Sequence, residues 1–194
     1  MSDGKARPVV PESEPLNGID LQALGGVVEE IGQDPGKAKV GFRVKSAWQG
    51  RTRSRTEVTS YTIGGERVAR RFSIDVDEPF ELLGENTAPN PQEMLMSALN
   101  ACVMVGYVVG ASARGIRLAS VEIETEGELD LRGFLGLDPN VAPGYDRLRY
   151  TVRIRGNGTA AQFREIHETV MRTSPNYFNL SQPMPVEARL ELLD

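Results

Sequence analysis

The sequence predicts an α+β fold in which a largely antiparallel sheet surrounds one long buried helix. Three observations predict it. The first is a stretch from Met94 to Ala113 without a charged side chain. The second is a set of strands with alternating apolar residues, two of them joined by the hairpin signal Gly64-Gly65. The third is an element order, strand, strand, strand, helix, strand, strand, helix, strand, that lacks the regular βαβ alternation of a parallel sheet.

The chain has 194 residues, enough for one domain with its own core. Residues 1–37 read as an N-terminal arm with a short helix, and residues 38–194 as the folded domain. The formal net charge is -5 and the pI about 5.1. No basic patch dominates, so nucleic acid is not an expected partner. The start, MSDGKARPVVPES, has no apolar core of a secretory signal. One cysteine rules out an internal disulfide, and with a single histidine it rules out a Cys/His zinc site. No cofactor or metal is implied, and the cytoplasm is the expected compartment.

Residues 1–18 are proline-rich without apolar periodicity, and read as a disordered tail or an arm laid over a partner. Asp20 can cap a short helix reaching Ile31, ended by Asp34-Pro35-Gly36. Val40, Phe42 and Val44 alternate with polar residues in a first strand reaching about Trp48. A second runs near Thr56 to Ile63, and a third from Arg67 to Val76. The long helix follows a loop. Asn90 is its N-cap, Pro91 fits the first helical position, Glu93 completes a capping box, and Gly115 fits just past its end. At about 36 Å it could span a bilayer. Asn100 in its middle and its many Gly, Ala and Ser residues favour a packed core over a membrane. Strands from Leu118 to Leu129 and Arg147 to Arg155 follow. Glu122, Glu124 and Glu126 on one and Arg149, Arg153 and Arg155 on the other predict an antiparallel pair with a solvated charged face. The connection between them, about 130–146, is long enough for a lid or an interface. Thr159 and Gln162 form a capping box for a second helix to about Thr173, stopped by Pro175. A last strand is expected from Val186 to Leu192.

Six residues could carry chemistry. Cys102 lies 12 residues beyond the helix N-cap, out of reach of the helix dipole, and its helical neighbours Leu95, Ala98, Leu99, Val105, Gly106 and Val109 are all apolar. From spacing alone it reads as a buried structural cysteine, unless an arginine from another element or chain activates it. Glu93 reads first as a cap. His167 reads as a partly exposed helix residue. Arg51, Arg53 and Arg55 form a basic run after the first strand that is either solvated or set over a pocket.

The run Asn90-Pro91-Gln92-Glu93-Met94-Leu95 leading to Ala98-Leu99-Asn100-Ala101-Cys102 resembles the OsmC/Ohr family, proteins of osmotic induction and organic hydroperoxide resistance. Arg172-Thr173-Ser174-Pro175 and Pro183-Met184-Pro185-Val186 resemble the family's second-cysteine segment and final strand. The resemblance covers roughly residues 38 to 193. It implies an intertwined homodimer with the long helices buried between two sheets. It also implies a first cysteine, here Cys102, that attacks a hydroperoxide and becomes a sulfenic acid, with an arginine and a glutamate holding the thiol reactive. Arg51 and Glu93 stand nearest to those two roles. The chain departs from the family at two positions: Ser174 replaces the second cysteine, and Gln92 the glutamate.

Two functions are compatible with this pattern. One is a thiol-dependent peroxidase with a single cysteine, acting on organic hydroperoxides in the oxidative stress response and needing an external thiol as reductant. The other is a non-catalytic homodimer that keeps the fold's interface pocket for a small apolar ligand.

Overall fold

The computed structural model describes residues 15–193. Residues 1–14, most of the proline-rich tail expected over residues 1–18, therefore lie outside the described residues. Residues 15–19 are laid over the chain's own long helix. The Asn17 amide donates to Ser112 Oγ at 2.9 Å and to the Ile116 carbonyl at 2.8 Å, and Asn17 Oδ1 accepts from the Leu118 N–H.

Helix α1 (Leu21–Gln33) is capped by Asp20, whose side chain accepts from the Gln22 and Ala23 N–H groups. None of its residues is buried. Four strands then form one antiparallel sheet: β1 (Val40–Phe42), β2 (Lys45–Trp48), β3 (Ser54–Ile63) and β4 (Glu66–Val76). The single first strand expected from the sequence is two. β1 pairs with the end of β3 and β2 with its beginning. The interruption lies opposite a bulge in the β3–β4 register between Val58 and Ser60. A bulge bends its strand, so one straight neighbour cannot follow β3 along its whole length.

The long helix α2 (Pro91–Ala113) has the expected capping box: Glu93 N–H donates to Asn90 Oδ1 and Asn90 N–H to Glu93 Oε2, each at 2.8 Å. Strand β5 (Leu118–Gly127) pairs with β6 (Leu148–Gly156), with Glu122 opposite Arg153 and Glu126 opposite Arg149. Arg153 lies 3.1 Å from Glu122 and 2.8 Å from Glu124, so the charged face is formed as the sequence predicts. A one-turn helix α3 (Leu131–Phe134) sits in the connection. Helix α4 (Ala160–Thr173) has its Thr159–Gln162 capping box. Pro175 does not merely stop α4. It occupies the first turn of another helix, α5 (Pro175–Ser181), where a missing N–H costs nothing.

The core is made by α2, α4 and the β5–β6 pair. Leu99, Val103, Tyr107, Ala111, Ile116, Ile166 and Val170 are buried, and Val121, Ile123, Val152 and Ile154 pack against them. Gly106 and Gly110 let α4 come close: a Cβ on Gly106 would lie 2.9 Å from Val170, and one on Gly110 3.2 Å from Ile166. Asn100, the polar residue in the middle of α2, donates to the Ile123 carbonyl and accepts from the Thr125 hydroxyl, which ties α2 to β5.

Two expectations fail within one chain. The long helix is not buried on most faces: Val105 is 61% exposed, because the four-stranded sheet does not fold back over α2. That sheet contributes one buried apolar residue, Val58, and leaves Phe42, Trp48 and Phe72 more than half exposed. Nor is there a last strand among the described residues. The stretch from Val186 to Leu192 pairs with no edge of its own chain, and Val186, Leu190 and Leu192 are open to solvent. Alternation alone does not make a strand; its backbone groups need a neighbouring edge.

Candidate thiol site

Cys102 is half-buried on α2, on the turn that meets the junction of α4 and α5. Its Sγ lies 3.2 Å from Ser174 Oγ, a hydrogen bond between the two side chains. Ser174 is 5% exposed and does two structural jobs. Its N–H closes α4 on the Val170 carbonyl at 2.8 Å, and its hydroxyl accepts from Tyr177 N–H as the N-cap of α5. Asn176 pins the new helix by donating to the Ala98 carbonyl at 2.8 Å. The residue that the sequence resemblance sets at the place of a second cysteine is thus in direct contact with Cys102. A hydroxyl there can hydrogen-bond a thiolate or a sulfenic acid but cannot close a disulfide.

Arg51 and Glu93 are not brought to this thiol within one chain. Glu93 precedes Cys102 by nine helical residues, roughly 14 Å along the axis, and its carboxylate is engaged by the Asn90 N–H. Gln92, one residue earlier, is half-buried near the same end of α2. Arg51 sits in the turn after β2 with φ 48° and is 3.8 Å from Glu85, which Arg53 also approaches at 3.2 Å. Arg55 is taken up by Asp75 across the sheet, at 2.7 Å.

Sequence reading missed the group that holds this arginine turn beside the entry to α2. Asp77 is fully buried and accepts five hydrogen bonds. They come from Thr52 Oγ1, Thr87 Oγ1 and the N–H groups of Glu78, Glu85 and Thr87. Burial by itself would raise its pKa, but the bonds from Thr52, Thr87 and Glu78 outweigh burial and hold the carboxyl well below the ordinary range. Glu78 beside it is pushed up, first by burial and then by the Asp77 charge. An acid just before a loop is too common a pattern to reveal this role from the sequence.

His167 is half-buried, and its Nδ1 shares a hydrogen bond with the Tyr107 hydroxyl. The Tyr150 ring lies 6.4 Å from the imidazole and 6.3 Å from the Tyr177 ring. Burial raises the pKa of Tyr107 and of Tyr150, so both are neutral phenols at physiological pH. The signal was present in part: a Tyr inside an apolar helix needs a partner for its hydroxyl, and the only histidine is on the helix packed against it. Among the described residues no three His, Cys, Asp or Glu side chains come together to hold a metal ion.

These features define an α+β protein with one thiol on a central helix, facing a serine hydroxyl at a helix junction. The chain belongs to the OsmC-like protein family, whose model matches residues 84–189. Two solved structures agree on the fold. An OsmC-like protein from Mycoplasma pneumoniae is 14% identical, with a TM-score of 0.55 over 72% of this chain and 86% of that one. A protein from Psychrobacter arcticus 273-4, assigned to the osmotic stress and detoxification response, is 17% identical, with a TM-score of 0.51 over 69% of this chain and 84% of that one. An organic hydroperoxide resistance protein from Legionella pneumophila is 20% identical, with a TM-score of 0.44 over 70% and 85% of the two chains. No curated protein matches the chain.

Proposed function

We propose that this protein is a one-cysteine, thiol-dependent reductase of organic hydroperoxides, working as a homodimer in the cytoplasm under oxidative stress. The contact between Cys102 and Ser174 carries the reading, because the hydroxyl can donate to a thiolate and then to the sulfenic acid that replaces it. In the first step the Cys102 thiolate attacks the distal peroxide oxygen. The O–O bond breaks, the distal oxygen stays on sulfur with its proton as a sulfenic acid, and the departing alkoxide takes up the proton that the thiol gave up and leaves as the alcohol. Ser174 offers no second thiol, so an external thiol attacks the sulfenic sulfur, releases water and leaves a mixed disulfide. A second external thiol restores Cys102 and carries away the disulfide.

Among the described residues, Cys102 bonds to Ser174 and to no cation of its own chain. A second copy supplies one in this reading, laid over the open face of α2 with its Arg51 turn toward the thiol. The apolar residues Phe42, Trp48, Phe72 and Val105, open in the single chain, support that assembly. Glu93, at the start of α2, orients the arginine.

The test is the pH dependence of Cys102 alkylation in the folded protein, with mass spectrometry after a stoichiometric dose of cumene hydroperoxide. The expected result is a thiolate formed well below about 8.5, a sulfenic acid on Cys102, and no hydroperoxide consumption by Cys102→Ala. A thiol that stays unreactive until the protein unfolds overturns the peroxidase. It leaves the second function, a dimer that binds a small apolar ligand at its interface.

A further inference from the structure

A cavity of about 470 Å³ lies within one chain, between the first half of α2, the start of β6 and α5. Cys102 is not on its wall, so a ligand held there is independent of the peroxidase reading. Its body is apolar: Leu95, Leu99 and Leu148 face the rings of Tyr150 and Tyr177. Its polar residues include Gln92 and Arg147. Further along the same strand, Arg149 and Arg153 are paired with glutamates, whereas Arg147 has no ion-pair or hydrogen-bond partner among the described residues. Asp146 also lines the cavity and forms no ion pair there. The Tyr150 hydroxyl is buried without a hydrogen-bond partner among the described residues, a rare condition that something else normally relieves.

We infer that this cavity binds a small, largely apolar carboxylate of the aryl or short-acyl type. The volume suits a molecule of that size. The hydrocarbon body lies between the leucines and the tyrosine rings. The carboxylate is held by the Arg147 guanidinium, the side chain best shaped for it, with the Gln92 amide beside it. Arg147 outranks Asp146 in this assignment because the guanidinium can grip a carboxylate through two parallel bonds.

Three probes with one ring system test it on the full chain: 2-naphthoate, 2-naphthalenemethanol and 2-naphthylmethylamine, titrated by calorimetry at pH 7. Naphthoate is expected to bind at least about tenfold more tightly than the amine, with the alcohol between them. Arg147→Gln, an exposed substitution, is expected to bring naphthoate down to the level of the alcohol. Leu95→Trp, which fills the wall from its 38% exposed edge, is expected to weaken all three. Cys102→Ser is expected to leave the affinities of all three probes unchanged, although it removes the proposed reactive thiol. Equal affinities for acid and amine, or an unchanged naphthoate affinity in Arg147→Gln, overturn the inference. So does loss of binding in Cys102→Ser, which would move the ligand to the thiol.

Discussion

The hydroxyl of Ser174 decides what Cys102 can do after it is oxidised. Its oxygen sits 3.2 Å from the sulfur, and a cysteine in its place needs only a small shift to reach disulfide distance. Ser174→Cys is therefore expected to form an intramolecular disulfide with Cys102 when treated with hydroperoxide. Thiol counting should fall from two to none, and two free thiols after oxidation would show that the residues are not placed as described. The same change weakens the cap of α5, so a slightly lower Tm is expected with it. Asp77 governs pH stability. Its pKa is lower folded than unfolded, so its contribution is fully present above the ordinary carboxylate value of about 3.9 and is lost as the pH falls below it. Asp77→Asn is expected to lower Tm by roughly 5 °C or more at pH 7. The gap from the parent should shrink at pH 3; a gap of equal size at both pH values would mean that the charge is not what matters.

At the scale of elements, the α2–α4 contact depends on two glycines. Alanine gains up to about 1 kcal/mol over glycine in a helix, but an overpacked core loses about 1 to 3 kcal/mol. On Gly106 the added carbon meets Val170 at 2.9 Å, and overpacking wins; on Gly110 it meets Ile166 at 3.2 Å, and the two effects nearly cancel. Thermal melts should therefore find Gly106→Ala clearly destabilised and Gly110→Ala close to the parent. The opposite ranking would mean that α2 and α4 pack in another register. Gly84 is a harder constraint, since its Cβ would overlap the Glu78 carbonyl inside the loop that Asp77 holds.

The whole molecule has a core at one end and an open sheet at the other. By register, one face of the β1–β4 sheet carries Trp48, Val58, Phe72 and Ile74, and the opposite face carries Arg55, Glu57 and Asp75, with Phe42 and Tyr61 at its end. Water is a poor neighbour for the first of these and a good one for the second. Light scattering on the full chain is expected to give twice the 21.3 kDa of one chain. A monomer at micromolar concentration would remove the second copy on which the proposed activation of Cys102 depends. In the dimer, Arg51→Ala is expected to raise the pH at which Cys102 reacts while leaving Tm within a few degrees, because Arg51 is an exposed turn residue. An unchanged pH profile would take Arg51 out of the site.

The sequence by itself determined α1, β3, β4, α2, β5, β6 and α4, in that order. Asn90, Glu93, Thr159 and Gln162 mark helix starts through bonds to their own neighbours, and the Glu and Arg stripes of β5 and β6 point to the antiparallel pair that the structure forms. Local chemistry is legible because both partners are close in the chain or repeat at a fixed period. Ser174 was legible as the counterpart of a second cysteine, but its contact with Cys102, 72 residues away, arises only when α5 restarts at Pro175. Tertiary structure alone decided the Asp77 network, the Tyr107–His167 pair, the split of the first strand, and the unpaired stretch after α5. Each depends on which distant backbone and side-chain groups meet. A buried polar group takes whatever partner the packing brings, and a strand exists only where an edge receives it.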